Sequence, residues 1–276
     1  MVVSGGTDGM GRALALARAE RGDRVVVLGS NHGKGRRLLA DAERLGMPGR
    51  IDFLQADLSS ITGTRSAIDR IAERHQVVDA LGLFANRQAT QRVVTPEGLE
   101  KTFALYYLSR YLLGHGLTPL LRRSATPVIV NVAGTGVVKG RIHWDDLQLE
   151  RRYSTITAQL QAGRANDLLG VAFAARPDNG PIRYVLYHPG FTRSGDLGPL
   201  PAPVRALLRV AARLAARPVE QSIAPVHDFI DHPPEAPLTA IDRDKPVRLT
   251  LKTLDPGDAE RLAEATGTLL HTAGHG

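Results

Sequence analysis

The chain has 276 residues, 43% of them hydrophobic, and a formal net charge of +7. That is enough apolar material for one domain over residues 1–276, and the absence of Cys excludes a disulfide framework, a thiolate nucleophile and a Cys-based metal site. Its 35 Lys and Arg are interleaved with 28 Asp and Glu, which argues against a nucleic-acid surface, and no uninterrupted run of about 18 apolar residues is present to span a bilayer. The N-terminus lacks the charged segment and apolar run of a signal peptide. A soluble, cytoplasmic protein is expected, with a modest positive field that favours an anionic ligand.

Short apolar runs alternate with longer helical patterns, the signature of a doubly wound α/β fold with a parallel sheet covered by helices on both faces. Strands are predicted over Met1 to Ser4, Arg24 to Leu28, Ile51 to Gln55, Ala80 to Ala85, Pro127 to Val132 and Ile182 to Tyr187. Helices are predicted to start near Gly9, Gly33, Ser60, Pro96 and Thr157, with connections short enough for right-handed crossovers. The first strand is short, which leaves a start further upstream open. After Gly190 the alternation stops; Gly195 to Pro203 reads as a Gly/Pro-rich loop leading into an amphipathic, Arg-rich helix over Val204 to Arg217. Residues 191–217 are therefore a candidate lid over a pocket.

The first turn carries the strongest chemical signal. Ser4-Gly5-Gly6-Thr7-Asp8-Gly9-Met10-Gly11 joins a strand to a helix. Gly5 permits the tight turn, Gly9 lets the backbone approach a pyrophosphate, and Gly11 lets the helix pack closely on the strand, while the helix N-terminus offers free N–H groups to phosphates. This Rossmann-type turn, with its Gly-x3-Gly-x-Gly spacing, resembles that of the short-chain dehydrogenase/reductase family. The resemblance extends over most of the chain. Asp57-Leu58 looks like the family's adenine-contacting pair, and Thr95-Pro96-Glu97-Gly98-Leu99-Glu100 like a helix start of its retinol-dehydrogenase-like branch. Pro189-Gly190-Phe191-Thr192-Arg193-Ser194 resembles the segment that holds the nicotinamide end.

The cofactor set implied by the resemblance is Gly5, Gly6, Thr7, Asp8, Gly9, Met10, Gly11, Ser30, Asn31, Asp57 and Leu58 at the adenosine and phosphate end. Ala85, Asn86, Val132, Pro189, Gly190, Phe191 and Ser194 follow at the other. Where an acid would bind the ribose of NAD, Leu28-Gly29-Ser30-Asn31 has none. Ser30 and Asn31 can donate to a 2′-phosphate, and Lys34 or Arg37 can add charge, so NADPH is the expected cofactor. No metal is expected: the nine His residues show no ligand spacing.

The family's chemistry is missing from its usual places. A Tyr there protonates the carbonyl, a Lys four residues on lowers its pKa, a Ser orients the carbonyl and an Asn supports a water relay. With Asn166 fixing the register, the Tyr position is Gln159 and the Lys position Gly163; Gly134 replaces the Ser and Tyr106 the Asn. The fourth-strand end, Leu83-Phe84-Ala85-Asn86, also departs from the family's Asn-Asn-Ala-Gly. The pattern resembles an unusual polyketide ketoreductase branch that reduces angucyclinones in antibiotic biosynthesis. That resemblance implies reduction of an aromatic polycyclic ketone, the proton coming from a neighbouring substrate phenol or from solvent.

Thr135 and Gln159 are the protein groups that could assist. Thr135 could equally cap a loop, and Gln159 could be a polar residue paired to backbone. Two other classes stay open: an NADP-binding regulatory protein without catalysis, and a non-redox cyclase or isomerase. Tyr153 mimics the catalytic spacing but lies out of register with Asn166. Tyr184, Tyr187 and His188 read as packing or pocket residues, His143, Asp145 and Asp146 as a surface loop, and Trp144 as a stacking surface for an aromatic substrate or a packing residue against the lid. The subunit number is left open.

Overall fold

The computed structural model describes residues 1–190 and 217–273. Eight strands form one sheet in the order β3-β2-β1-β4-β5-β6-β7-β8. They are β1 Val2–Ser4, β2 Val25–Gly29, β3 Ile51–Gln55, β4 Ala80–Leu83, β5 Val128–Val132, β6 Arg183–His188, β7 Leu238–Asp242 and β8 Lys245–Pro246. All neighbours run parallel except β8, which returns antiparallel on β7. The predicted doubly wound parallel sheet is the observed fold.

Strand side chains alternate between two apolar layers, as the period of an extended chain requires. Val2, Val26, Leu81, Ile129 and Leu186 enter one layer, whereas Val3, Val27, Ala80, Val130 and Val185 enter the other. The first layer is covered by α3 Ile61–Arg74, α5 Ser109–Gly116, α7 Thr155–Ala174 and α9 Pro256–Ala273. The second is covered by α1 Gly9–Glu20, α2 His32–Arg44 and α8 Val219–Asp231.

Four of the longer helices start where a side chain can satisfy a free N–H group. Asp8 accepts from Gly9, Asn31 from Lys34, Ser60 from Gly63 and Ser154 from Thr157. The predicted start near Pro96 moves to Lys101. Thr95 N–H pairs with Leu99 O at 2.8 Å and Gly98 adopts φ +79°, so 95–99 is a turn. Glu100 then caps the helix α4 Lys101–Phe103 by accepting from the N–H groups of Thr102 and Phe103. That helix runs through a π-helical segment, Ala104–Leu108, into α5, and α6 Thr118–Leu121 follows.

The six predicted strands are present, β3 with the predicted bounds and the others with ends shifted by one or two residues. The prediction that alternation stops after Gly190 is corrected: α8, β7, β8 and α9 continue it. The candidate lid at 191–217 lies outside the described residues except for Arg217, which pairs with Asp244. Leu81, fully buried in central β4, tests the core: Leu81→Ala should lower stability by about 2–5 kcal/mol, read as a drop in the urea midpoint.

Candidate active site

The strand order reverses between β1 and β4, and in such sheets a ligand cleft opens beyond the carboxyl ends of the strands at that point. The glycine turn lies there. Gly5 adopts φ +70°, and a Cβ on it would stand 2.7 Å from Ala85 N. A Cβ on Gly11 would stand 2.6 Å from Gly5 O. These contacts draw the turn against the end of β4 and seat the first turn of α1 under it, where its leading N–H groups lack helical acceptors. Gly9 adds a second positive φ, +51°.

Asp8 both caps α1 and forms an ion pair with Lys34 across the mouth of this turn. The hydrogen bond from Lys34 holds the Asp8 carboxyl below its ordinary range. Lys34, expected to supply charge for a 2′-phosphate, is thus already engaged. Arg36 instead joins Ser30, His32, Gln55, Asp57 and Arg70 around an open groove beside the end of β2. Asn31 keeps its side-chain oxygen on Lys34 N–H, which leaves its amide N–H groups for a ligand. Asp57 accepts from Ser59 N and Oγ at 2.9 and 2.6 Å, which fixes the turn after β3, and Leu58 is buried beside it.

Three of the positions where the resemblance places catalytic side chains, Tyr106, Gly134 and Gly163, lie together, and Gln159 is one turn of α7 before Gly163. Tyr106 projects from the π-helical segment and packs with Ala133 and Ala162, next to Gly134 and Gly163. A Cβ on Gly163 would meet nothing within 4 Å, and one on Gly134 only Val137 Cγ2 at 3.7 Å. Gln159 is paired, though not to backbone as one reading expected. Its Nε2 donates to Asn86 Oδ1 at 3.2 Å while Asn86 Nδ2 donates to Gln159 Oε1 at 3.0 Å. This reciprocal amide clasp joins the chain after β4 to α7.

Thr135 is fully buried, so the suggested direct role for its hydroxyl is corrected: it has no surface on which to meet a ligand. It faces Asp167 instead, as do Thr253 and the N–H of Gly136. Neither threonine closes a well-aligned hydrogen bond with that carboxyl, and Asp167 Oδ1 is left unpaired. Burial raises the Asp167 pKa to about 7, with Arg164 opposing the shift. Arg164 ties the same loop to α7 by donating to Val137 O, Val138 O and Gly140 O.

Arg110 was missed in the sequence. It has no exposed surface and lies within the bundle of strand ends. Its guanidinium donates to Asn131 Oδ1, to Val132 O at 2.9 Å and to Ala85 O at 3.1 Å, and it sits 4.6 Å from the centre of the Tyr106 ring. Burial lowers its pKa to about 10. Asn131 passes the network on to Tyr184 and Asn166, and Asn166 donates to Tyr106 O and Ala162 O, each at 2.8 Å.

The remaining candidates have structural explanations. Tyr153 donates to Ala89 O at 2.9 Å, Tyr187 to Ser222 O at 3.0 Å, and His188 meets Asp242 at 2.8 Å. Trp144 is covered by Arg261 of α9, 4.2 Å from its ring centre. Asp146 accepts from Glu150 and Arg151 N–H in a loop turn, and among the described residues no cluster of His, Asp or Glu could hold a metal. Pro189 is buried at the end of β6 and Gly190 has φ +78°; Phe191 and Ser194 lie outside the described residues. Among the described residues no helix is long and apolar enough to cross a membrane.

A glycine turn feeding a helix at the switch point of a parallel sheet is the arrangement with which doubly wound folds bind a dinucleotide. Residues 1–145, more than half of the chain, match the short chain dehydrogenase family, and the chain belongs to that family. It is 31% identical over 235 residues to "Putative daunorubicin C-13 ketoreductase DnrU" of Streptomyces sp. (strain C5), covering 80% of this chain and 79% of that one. It is 27% identical over 199 residues to human retinol dehydrogenase 13, covering 72% of this chain and 60% of that protein, so it spans about three-fifths of that relative's length. The fold matches a metagenomic short-chain oxidoreductase in complex with NADP at TM-score 0.65 and 16% identity, over 88% of this chain and 96% of that one.

Asp167 gives the site a pH signature. Its folded-state pKa, about 7, stands above the ordinary 3.8, so the folded chain retains a proton that the unfolded chain has released. Its contribution to stability is full below pH 4, declines as pH rises and is lost above the folded-state value. Asp167→Asn should therefore flatten the fall in unfolding free energy between about pH 4 and 7, measured by urea titration at each pH; an identical slope in both proteins would refute the assignment.

Proposed function

We propose that this protein is an NADPH-dependent ketoreductase that reduces a carbonyl of an aromatic polycyclic, angucyclinone-like polyketide in antibiotic biosynthesis. The observation that carries the reading is an intact dinucleotide turn beside a cleft in which the Tyr, Lys and Ser positions are Gln159, Gly163 and Gly134. The streptomycete relative's name and the resemblance to the angucyclinone ketoreductase of simocyclinone biosynthesis support the substrate class. NADPH over NADH is supported by the lack of an acid at Ser30-Asn31, by Arg36 and Arg70 at the same groove, and by the NADP in the metagenomic relative.

The residues present fit the cofactor. The Gly5 and Gly11 positions have no room for a side chain, so the turn packs directly on the end of β4 and on the start of α1, and the first turn of α1 would supply N–H donors to a diphosphate. When bound, NADPH would supply the hydride for the carbonyl carbon; the carbonyl oxygen would take its proton from a neighbouring phenol of the substrate, which solvent would reprotonate. Orientation carries much of the acceleration, and the substrate phenol replaces a general acid whose usual contribution is about 10²–10⁴-fold. Gln159 and Asn86 offer paired amide donors and acceptors at the cleft, suited to a ketone flanked by a hydroxyl.

The test is NADPH oxidation with product mass analysis on peri-hydroxytetralone and its methyl ether. Turnover of the phenol alone is expected. Equal turnover would place the acid on the protein, binding without turnover would favour a regulatory NADP-binding protein, and product without NADPH oxidation a cyclase or isomerase. Gly9→Asp should abolish NADPH binding in a fluorescence titration. Gln159→Phe should leave that binding intact and depress kcat.

A further inference from the structure

The vacancy at Gly134 is matched by a side chain from another element. Gly134 stands where the family resemblance places an orienting serine, and a Cβ there would have room. The backbone N–H of that residue faces the hydroxyl of Tyr106. Tyr106 sits in the middle of the π-helical segment, and such segments are frequent at functional sites. The extra residue in the turn rotates the following side chains by about 100° relative to an unbroken α-helix.

The ring is held from several sides. Ala133 from the exit of β5 and Ala162 from α7 pack against it, and both are small. The Arg110 guanidinium lies over its face, and Asn166 holds its backbone carbonyl at 2.8 Å. The ring is buried, yet its hydroxyl makes no side-chain hydrogen bond among the described residues and is not one of the sealed, unpaired polar atoms. Burial pushes the phenol's pKa up and Asp167 adds to the shift, whereas Arg110 and the Gly134 N–H oppose it; the net direction is upward, so the group stays protonated at neutral pH.

We propose that Tyr106 supplies the hydroxyl that Gly134 lacks: its oxygen accepts from Gly134 N–H and its O–H donates to the oxygen of the ketone being reduced. This rests on the ketoreductase reading and adds to it a catalytic residue on the protein. The phenol keeps its proton throughout. It stabilises charge developing on the carbonyl oxygen, and the net proton still comes from the substrate phenol or from solvent.

Three measurements on the full chain test this: NADPH affinity, kcat and KM with peri-hydroxytetralone, and the infrared carbonyl band of the bound methyl ether in the presence of NADP⁺. Tyr106→Phe should lower kcat by about 10²-fold, as loss of one oxyanion donor does. NADPH affinity should be unchanged, and the carbonyl band should move toward its position in a non-hydrogen-bonding solvent. Adding Gly134→Ser to Tyr106→Phe should restore at least about a tenth of the lost rate and shift the band back. An unchanged kcat and band in Tyr106→Phe would overturn the assignment, as would a kcat loss accompanied by weakened NADPH binding and no recovery with Gly134→Ser. A wild-type protein whose bound-ketone band depends on Tyr106 but which oxidises no NADPH would overturn the ketoreductase reading and support the hydroxyl contact.

Discussion

The site depends on a buried cation that meets no carboxylate among the described residues. Placing a guanidinium inside a protein is costly unless its donors are met, and a neutral environment can do this only through well-aimed carbonyls, amides and aromatic faces. Arg110 has all three: Val132 O and Ala85 O, the Asn131 side chain, and the Tyr106 ring. Those partners belong to the ends of β4 and β5 and to the π-helical segment. Satisfying one side chain therefore fixes the relative positions of the strand ends that face the cleft. Arg110 Nε remains unpaired, which leaves the balance incomplete and makes the other contacts more consequential.

From this anchor the network spreads through amides. Asn131 reaches Tyr184 and Asn166, and Asn166 holds the π-helical segment against α7. A second set of ties, from Arg164 and Asp167, secures the loop after β5 to the same helix. Helix α7 is thus the support on which both walls of the cleft are mounted. The positions to which the resemblance assigns catalytic side chains lie between these supports, and two of them, Gly163 and Gly134, contribute no side chain to the scaffold.

The fold was legible because its signals are local. Runs such as Val25 to Leu28 and Val128 to Val130 are apolar on every side chain, as buried parallel strands tend to be, and the glycine turn states its own steric needs. β7 was not legible: Leu238 to Asp242 follows a segment with Pro233, Pro234 and Pro237, and its flanks read as loop. The start at Lys101 was hidden because Glu100, rather than a residue near Pro96, caps the helix. In the site, the residues named for the cofactor's phosphates fell together, whereas the clasp joins residues 73 apart and Arg110 meets Asn131 from 21 residues away. Among 35 basic side chains nothing in sequence marks Arg110 as one without exposed surface.

The short return of β8 has a consequence for the molecule as a whole. A long parallel sheet ends in a strand with unpaired N–H and C=O groups, to which another chain can add by strand pairing. Here β7 is covered by only two residues, both exposed, one a lysine and the other a proline without an N–H to donate. The opposite edge, β3, turns Asp52 and Gln55 toward solvent. Growth of the sheet from one molecule into the next is discouraged at both ends, so self-association would have to use helical surfaces rather than continue the sheet.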